Sequence, residues 1–416
     1  MNNKLPNDWQ VKKLKDILAD EKYSIKRGPF GSSLRKEFFV KEGVRVFEQY
    51  NPINNDPNWC RYRIDKNKYE ELKAFRCKAG DFLISCSGTL GKIILLPENV
   101  EEGIINQALL KIRLNPKLVD NHYFLNLCQY KDFQKRIYKN AGGSAIHNIA
   151  SVNTLKEMDV ILPPLEEQKR IASGISKIDA YLENTIKLIE EKERFKKGIS
   201  KKLLTCKEGE NVPEMRFKEF KDKWETVKLG DICLINNKNL KGNTNKDYKF
   251  KYIDLTAVKK GNIDLSKDYI TFENAPASAR RIINKNDIIM ATVRPYLLGH
   301  AFIDFEAKDY ICSTGFAVLT ANADIEMKYI YQYLYSNDMA KQIRSRLEGS
   351  TYPTIKNSAI KELKIKIPKS IKEQEEISKF LSLLDAEIDN LKEQKEEIKK
   401  MKKGIINKLM SGEVRL

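Results

Sequence analysis

Two long stretches of the chain repeat apolar residues at spacings of three and four. The first stretch begins after Pro163 and Pro164, and its apolar positions are Ile171, Ile175, Ile178, Leu182 and Ile189, with a lapse near Lys192, then Ile199 and Leu203. The second lies near the C-terminus, and its positions are Ile377, Leu381, Leu384, Ile388, Leu391, Ile398, Ile405 and Leu409. This heptad spacing predicts a long helix in each stretch.

A helix of roughly 40 residues is about 60 Å long, which exceeds the width of a small domain. Neither helix can therefore be buried by one domain alone, and we expect the two to pack on each other as an antiparallel coiled coil. The competing interpretation is a pair of charged, solvated linkers. The acids Glu166 and Glu167 fall in the first turn of the first helix, where the helix dipole favours negative charge.

Elsewhere the chain carries short apolar runs separated by Gly and Asn turns. The runs FLISCS, KIILLP and ALLKIRL in the first half, with IIMATV and FAVLTA in the second, predict strands. Helices are predicted at residues 121–138 and 327–346. The fold class is therefore mixed α and β.

The two halves match each other in order, at an offset near 206 residues. WQVKKLKDI from Trp9 matches WETVKLGDI from Trp224, and Asp81 pairs with Asp287. GGSAIHNI matches EGSTYPTI, and LEEQKRI matches IKEQEEI. The repeat predicts two similar globular domains, each followed by a long helix, related by approximate two-fold symmetry.

The excess of basic over acidic residues indicates a polyanionic partner. Lysine and arginine number 75 against 57 acids, for a formal net charge of +18. Nucleic acid is the commonest polyanionic partner, although a lysine-rich proteome would raise the charge of every protein.

Composition argues against several other classes. Seven cysteines contain no CxxC pair, and three histidines give no workable zinc ligand set, so we expect neither disulfides nor a metal. No apolar run reaches the roughly 18 residues of a membrane span, and the N-terminus resembles no signal peptide. A cytoplasmic protein is expected.

Enzyme motifs are incomplete. Asn51-Pro52-Ile53 lacks the second proline of the methyltransferase [DN]PP[YF] motif, and the Glu71-Leu72-Lys73 match to a nuclease ExK fragment is expected by chance. The glycines around Lys92 have the wrong spacing for the phosphate loop of a nucleotide-driven motor. We therefore expect no catalytic residues.

Polar, basic, glycine-containing segments are candidates for DNA contact, since Lys and Arg neutralise phosphates while Asn, Gln, Ser and Arg can address base edges. Each could also be an ordinary surface turn. In the first copy the candidates are Lys26, Arg27, Gly31, Ser32, Ser33, Arg35, Gln49, Asn51, Ser87, Thr89, Lys92, Ser144, His147 and Asn148.

The second copy has corresponding segments with different residues. Its candidates are Asn237, Lys238, Lys241, Arg281, Thr292, Arg294, Tyr296, Ser350, Thr351, Tyr352 and Lys356. Arg294 follows a predicted strand and precedes a proline turn, which favours a rigid arginine able to grip guanine; a salt bridge within the domain is the alternative. Because the two copies differ here, we expect them to recognise different sequences.

Four sequence features occur together: GPFGSSL after a basic segment, SCSGTLGK, the Gly-Ser turn before PPLEEQ, and a repeated long helix that begins near a Glu-Gln pair. With these features the chain resembles the specificity subunit of type I restriction-modification enzymes. The resemblance covers essentially the whole chain. It implies target recognition domains at residues 1–162 and 207–367, and conserved coiled-coil helices at residues 163–206 and 368–416. NNKNLKGNTN replaces GPFGSS in the second copy, so the role of that loop does not carry over.

The resemblance also implies the function and the partners. The chain would recognise an asymmetric, two-part site in double-stranded DNA and direct adenine methylation and cleavage by other subunits. It would assemble with two methyltransferase subunits and with restriction subunits, which would bind S-adenosylmethionine, ATP and magnesium, while this chain holds no cofactor. The rival interpretation is a coiled-coil scaffold whose basic domains bind nucleic acid or acidic proteins without sequence specificity.

Overall fold

A computed structural model describes residues 5–139, 151–206 and 210–416. The chain divides into two compact units. The first contains residues 1–186 and 394–416, and the second contains residues 187–393. Each unit therefore combines one globular part with portions of both long helices.

The first unit builds its globular part from eleven strands and five short helices among the residues described. The strands are β1 Gln10–Lys13, β2 Ile25–Arg27, β3 Phe39–Val40, β4 Val44–Phe47, β5 Tyr62–Ile64, β6 Arg76–Cys77, β7 Phe82–Ser85, β8 Ile93–Leu95, β9 Gly103–Ile105, β10 Leu109–Ile112 and β11 Asp159–Leu162. The helices are α1 Tyr50–Asn54, α2 Lys66–Glu71, α3 Asn121–Leu127, α4 Lys131–Lys139, α5 Val152–Lys156 and the long α6 Leu165–Leu204.

These strands form a four-stranded sheet in the order β2-β10-β7-β8 and a five-stranded sheet in the order β3-β5-β4-β9-β6. A two-stranded pair, β1 with β11, closes the base beside the start of α6. Strands β7 and β10 are buried along their whole length, which explains their continuous apolar sequences.

The second unit has a closely similar set of elements. Its strands are β12 Glu225–Lys228, β13 Cys233–Ile235, β14 Lys249–Ile253, β15 Val258–Lys259, β16 Asn262–Ile263, β17 Ile270–Thr271, β18 Ala279–Ile282, β19 Ile288–Ala291, β20 His300–Phe302, β21 Tyr310–Ser313, β22 Phe316–Ala321 and β23 Lys364–Ile367. Its helices are α7 Leu229–Ile232, α8 Met327–Leu334, α9 Asn337–Arg344, α10 Asn357–Lys361 and the long α11 Ile371–Met410.

The sheet β13-β22-β19-β20 of the second unit has the topology of β2-β10-β7-β8, and the parallel pair β14–β21 corresponds to β4–β9. The matched aspartates also share one backbone contact. The Asp81 carboxylate accepts from the Lys78 amide at 2.9 Å, and that of Asp287 accepts from the Asn284 amide at 2.7 Å. The predicted fold class, the repeat and all five predicted strands are confirmed.

The two predicted middle helices are wrong in one respect, because each is broken into two. Residues 121–138 form α3 and α4, and residues 327–346 form α8 and α9. In the second unit the Ser336 side chain caps the new helix by accepting from the Met339 amide at 3.1 Å. A serine cap competes with continuation of the preceding helix.

The long helices α6 and α11 extend over 40 residues each. Most predicted heptad positions face inward. Buried positions are Ile171, Ile175, Ile189, Leu203, Ile377, Leu381, Ile388, Ile398 and Leu409, while Ile178, Leu182, Ile199, Leu384, Leu391 and Ile405 are half-buried. Ile406 and Met410 of α11 are also buried, although the heptad pattern did not select them.

Ion pairs show that the helix portions within the second unit run antiparallel, and an equivalent pair occurs in the first unit. In the second unit Lys192 pairs with Glu387 at 2.6 Å, while Lys196, one turn later, pairs with the earlier residue Asp385. The lapse in the heptad at Lys192 is thus occupied by a charge pair. In the first unit Lys402 pairs with Asp179 at 2.5 Å, at the position that repeats the Lys196–Asp385 pair.

A buried carboxylate joins each long helix to the globular part of its unit. In the first unit Glu167 accepts from the Trp9 indole at 3.2 Å and from Arg415 at 2.7 Å. In the second unit Glu373 accepts from the Trp224 indole at 3.1 Å and from Arg216 at 2.7 Å. Glu167 lies in the first turn of α6, as predicted, and its charge is also balanced by arginine.

His300, at the start of β20, is fully buried, and its Nδ1 accepts from the Ala291 amide at 3.2 Å. Burial lowers the pKa of the imidazole to about 4, below the ordinary value of 6.5. The unfolded chain therefore binds more protons below pH 6.5, and stability must fall as the pH drops from 6.5 towards 4.

We expect His300 to cost the chain about 1–2 kcal/mol of unfolding free energy between pH 6.5 and pH 5. Urea unfolding at both pH values measures this loss. The matched variant His300→Asn keeps a side-chain acceptor near Ala291 but cannot titrate, so its dependence on pH should be weaker. Equal dependence in both proteins would show that other groups are responsible.

Candidate nucleic-acid interface

In the first unit, the turn at residues 106–108, here called the first polar turn, gathers three of the predicted segments. The Gly28 amide donates to the Leu109 carbonyl at 2.8 Å, and the Cys86 amide donates to the Ala108 carbonyl at 2.8 Å. The Asn106 amide donates to the carbonyl of Phe47, just before the segment at residues 48–55. Segments distant in sequence therefore meet at one edge of the unit.

Gly28 of GPFGSSL is required by close packing against the backbone of this turn, and Gly31 lies against the flexible side chain of Gln107. A Cβ on Gly28 would lie 1.8 Å from the Asn106 carbonyl oxygen, and one on Gly31 would lie 2.8 Å from Oε1 of Gln107. The intervening Phe30 is 87% exposed. The loop is thus fixed at its base while its side chains face solvent.

The structure places most first-copy candidates at the surface. Gly31, Ser32, Arg35, Gln49, Thr89 and Lys92 are exposed, and Lys26, Arg27, Ser33 and Ser87 are half-buried. The Lys26 ammonium lies over the rings of Tyr23 and Phe75, at 5.6 and 5.5 Å from their centroids. Ser144, His147 and Asn148 lie outside the described residues.

Asn51 is a correction, because it is fully buried. Its Oδ1 accepts from the Glu48 amide at 2.8 Å, and its Nδ2 donates to the carbonyls of Asp56 and Trp59 at 2.9 and 2.8 Å. These bonds use the amide group within the fold, so Asn51 shapes the loop and is not available to a base.

In the second unit, the turn at residues 313–315, here called the second polar turn, has the same position between two strands. The Thr292 amide donates to the Gly315 carbonyl, and the Thr314 amide donates to the Ser278 carbonyl, both at 2.8 Å. The Leu240 amide in turn donates to the Arg280 carbonyl at 2.8 Å. Three predicted segments therefore converge here as well.

The fourth segment, residues 349–356, joins through Arg294. The Arg294 amide donates to the Pro353 carbonyl at 2.7 Å, and its Nη2 donates to the Thr351 carbonyl at 3.3 Å. The guanidinium carbon lies 4.4 Å from the centroid of the Tyr352 ring. Arg294 is half-buried and held on two sides, as an arginine that must present a fixed geometry would be.

The remaining second-copy candidates differ in their solvent exposure and in whether their side chains already have a partner within the unit. Asn237, Lys238, Lys241, Tyr296, Ser350, Thr351, Tyr352 and Lys356 are exposed, and Arg281 and Thr292 are half-buried. Lys356 is paired with Glu348 at 2.7 Å. Arg281 donates to Oδ1 of Asn239 at 2.7 Å, and burial lowers the pKa of its guanidinium.

A family model described as the type I restriction modification DNA specificity domain matches residues 6–191 and again residues 221–400. The chain belongs to this family. Recognition of a DNA target is accordingly its function, and in a type I restriction-modification system the specificity subunit is the non-catalytic component.

Curated relatives match this chain over nearly all of its sequence, and solved structures share its fold. The chain is 27% identical to the putative type I restriction enzyme MjaX specificity subunit of Methanocaldococcus jannaschii, covering 99% of this chain and 95% of the relative. The S subunit crystal structure from M. genitalium matches with a TM-score of 0.56 at 20% identity, covering 98% and 97% of the two chains.

A second solved structure also supports the fold. A chain from a study of complex assembly and conformational transition of the type I R-M system has a TM-score of 0.62 at 15% identity, with 99% of this chain and 100% of that chain covered. Among residues 5–139, 151–206 and 210–416, no helix has the length and apolar character needed to cross a membrane.

Sequence reasoning about this specificity subunit missed the polar turns themselves. Gln107 and Thr314, at equivalent places in the two turns, are both exposed beside the predicted segments. In each turn a pair of polar residues separates two apolar runs, and the pair is NQ in the first copy and ST in the second. That repeated interruption is the signal that could have identified them.

Proposed function

We propose that this specificity subunit recognises an asymmetric, two-part target in double-stranded DNA, with a different half-site for each unit. One observation carries the proposal. Both units gather polar and basic segments around an equivalent polar turn, while the residues presented there differ.

The strand pairings make the comparison residue by residue. Ile112 and Leu319 hold equivalent positions, opposite Phe82 and Ile288, and they pair with Ile25 of β2 and Ile235 of β13. Counting outward from Ile25 and Ile235, Gly28 corresponds to the exposed Lys238. A glycine and a lysine ammonium cannot make the same contact with DNA, so the two loops recognise different features.

The proposal includes the partner subunits with which the chain would assemble. The chain would bring two methyltransferase subunits, and restriction subunits where the system has them, to the bound site. Those subunits would methylate adenine or cleave, and would carry S-adenosylmethionine, ATP and magnesium, in the cytoplasm where cellular DNA is accessible. The family membership, the long paired helices and the net charge of +18 support this assignment.

Selection of bound duplexes from a random pool tests the proposal. The full chain, co-expressed with the methyltransferase encoded beside it, is incubated with the pool at near-physiological salt, since nonspecific affinity depends steeply on salt. We expect one motif made of two unlike parts at a fixed separation. Binding by the assembled complex without any recovered motif would favour the nonspecific scaffold instead.

A further inference from the structure

Residues 294–298 of the second unit, here called the finger, have an unfavourable backbone. The turn Pro295–Leu297 is flanked by Arg294 with φ of 47° and by Leu298 with φ of 57°, both in the left-handed region. Residues with a Cβ seldom adopt this conformation, and a bulky leucine does so only where the surrounding structure requires it. Such strain concentrates at functional loops.

Several contacts hold the finger in place. The Leu298 amide donates to the Pro295 carbonyl at 3.0 Å, and the Lys260 amide donates to the Leu298 carbonyl at 3.2 Å. Pro295 itself is buried. With Arg294 bonded to Pro353, the base of the finger is fixed from both sides, and its tip is a defined projection.

The tip presents apolar side chains to solvent. Leu297 is 60% exposed and Tyr296 is 42% exposed, and Tyr352, stacked on Arg294, is 63% exposed. Single exposed apolar residues need no explanation, but two on one strained projection with a third beside them do. The fold holds them outward at a cost in backbone energy.

The surroundings of the tip are cationic. Arg294 lies on one side, and the exposed Lys259 and Lys260 lie on the other, next to Leu298. The finger also adjoins the second polar turn through Thr292 and Gly315. An apolar tip between cations matches the chemistry of a duplex, in which stacked bases lie between two phosphate chains.

We propose that the finger is a wedge that inserts Leu297 into a base-pair step of the second half-site, while Lys259 and Lys260 contact the flanking backbone. Proteins that unstack a step with an apolar side chain gain affinity from the deformed duplex. Pyrimidine–purine steps unstack most easily, so the half-site would include one at this place. This inference rests on the proposed DNA recognition.

The first unit cannot make the same insertion. The strand register places Gly91, with φ of 69°, at the position of Leu298 and Leu90 at the position of Leu297, but Leu90 is half-buried and packs against the core of the first unit. The wedge would therefore deform only one of the two half-sites. Recognition by deformation would then add to the asymmetry that base contacts provide.

The test uses the full chain in complex with its methyltransferase, bound to the selected duplex carrying 2-aminopurine at successive positions of the second half-site. Unstacking raises the fluorescence of this base. We expect a rise at one step with the natural chain, and no rise with Leu297→Ala, together with about a tenfold loss of affinity. Leu234→Ala, at another exposed leucine of the same unit, should leave both unchanged.

A second variant separates insertion from backbone strain. Leu298→Gly relieves the left-handed leucine, so it should raise the thermal midpoint of the chain and keep the fluorescence rise. Specific binding without a fluorescence rise at any position would overturn the wedge and leave the proposed function intact. A pool selection that yields no motif would instead overturn the proposed function.

One further outcome would reassign the finger. If Leu297→Ala weakened assembly with the methyltransferase subunit while the fluorescence rise persisted, the apolar tip would contact protein and the wedge would be wrong. Leu297 is largely exposed, so the variant should fold normally, and an unchanged thermal midpoint verifies this.

Discussion

Glu373→Ala is expected to lower the free energy of unfolding of the second unit by about 3–5 kcal/mol. The Glu373 side chain is 1% exposed and accepts two bonds from Arg216, both at 2.7 Å. It also accepts from the indole of Trp224, a residue that is 2% exposed. Its removal would leave a largely buried guanidinium and a buried indole N–H without their acceptor.

Urea unfolding of the full chain, followed by circular dichroism, measures the loss. Glu375→Ala, at an exposed acid one half-turn further along α11, is the matched control and should change stability by less than about 0.5 kcal/mol. Glu167→Ala should cost less than Glu373→Ala, because the Arg415 side chain is 45% exposed and stays hydrated. Equal unfolding curves for the Glu373 and Glu375 variants would contradict the structural role of this carboxylate.

Arg294→Ala is expected to reduce discrimination at one base pair of the second half-site by about 1–3 kcal/mol. The arginine is held by the Pro353 and Thr351 carbonyls and by the Tyr352 ring, so little entropy is lost when it meets a base. The first half-site should be recognised as before.

Competition between the selected duplex and each single-base variant measures this effect. Tyr352→Phe preserves the ring under the guanidinium and should retain discrimination, whereas Tyr352→Ala should lose part of it. A uniform loss of affinity for every duplex, with a shallower salt dependence, would assign Arg294 to a phosphate and not to a base.

The features that were predictable from sequence are those with a local or periodic cause. The heptad positions such as Ile171 and Leu381 follow from the helical period, and the strands from short apolar runs. The helix break at Ser336 was missed because one side-chain cap outweighed a continuous helical pattern.

The candidate interface depended on contacts that no local pattern reveals. Gly28 bonds to Leu109 because the adjacent residues Arg27 and Leu110, which are 83 positions apart in sequence, pair between two strands. The first polar turn is therefore visible only in the folded structure. Asn51 had the right chemistry for a base contact but was used within its own loop. Glu167 and Glu373 were similarly underestimated, since their arginine partners lie far away in sequence.

Mapping of methylated adenines in cells that express the chain with its methyltransferase tests the central claim most directly. Cells with the methyltransferase alone provide the control. The expected result is methylation at one two-part motif with unlike halves at a fixed separation, present only when this chain is expressed. Methylation at sites with no common motif, or at a motif with two identical halves, would contradict recognition by two different domains.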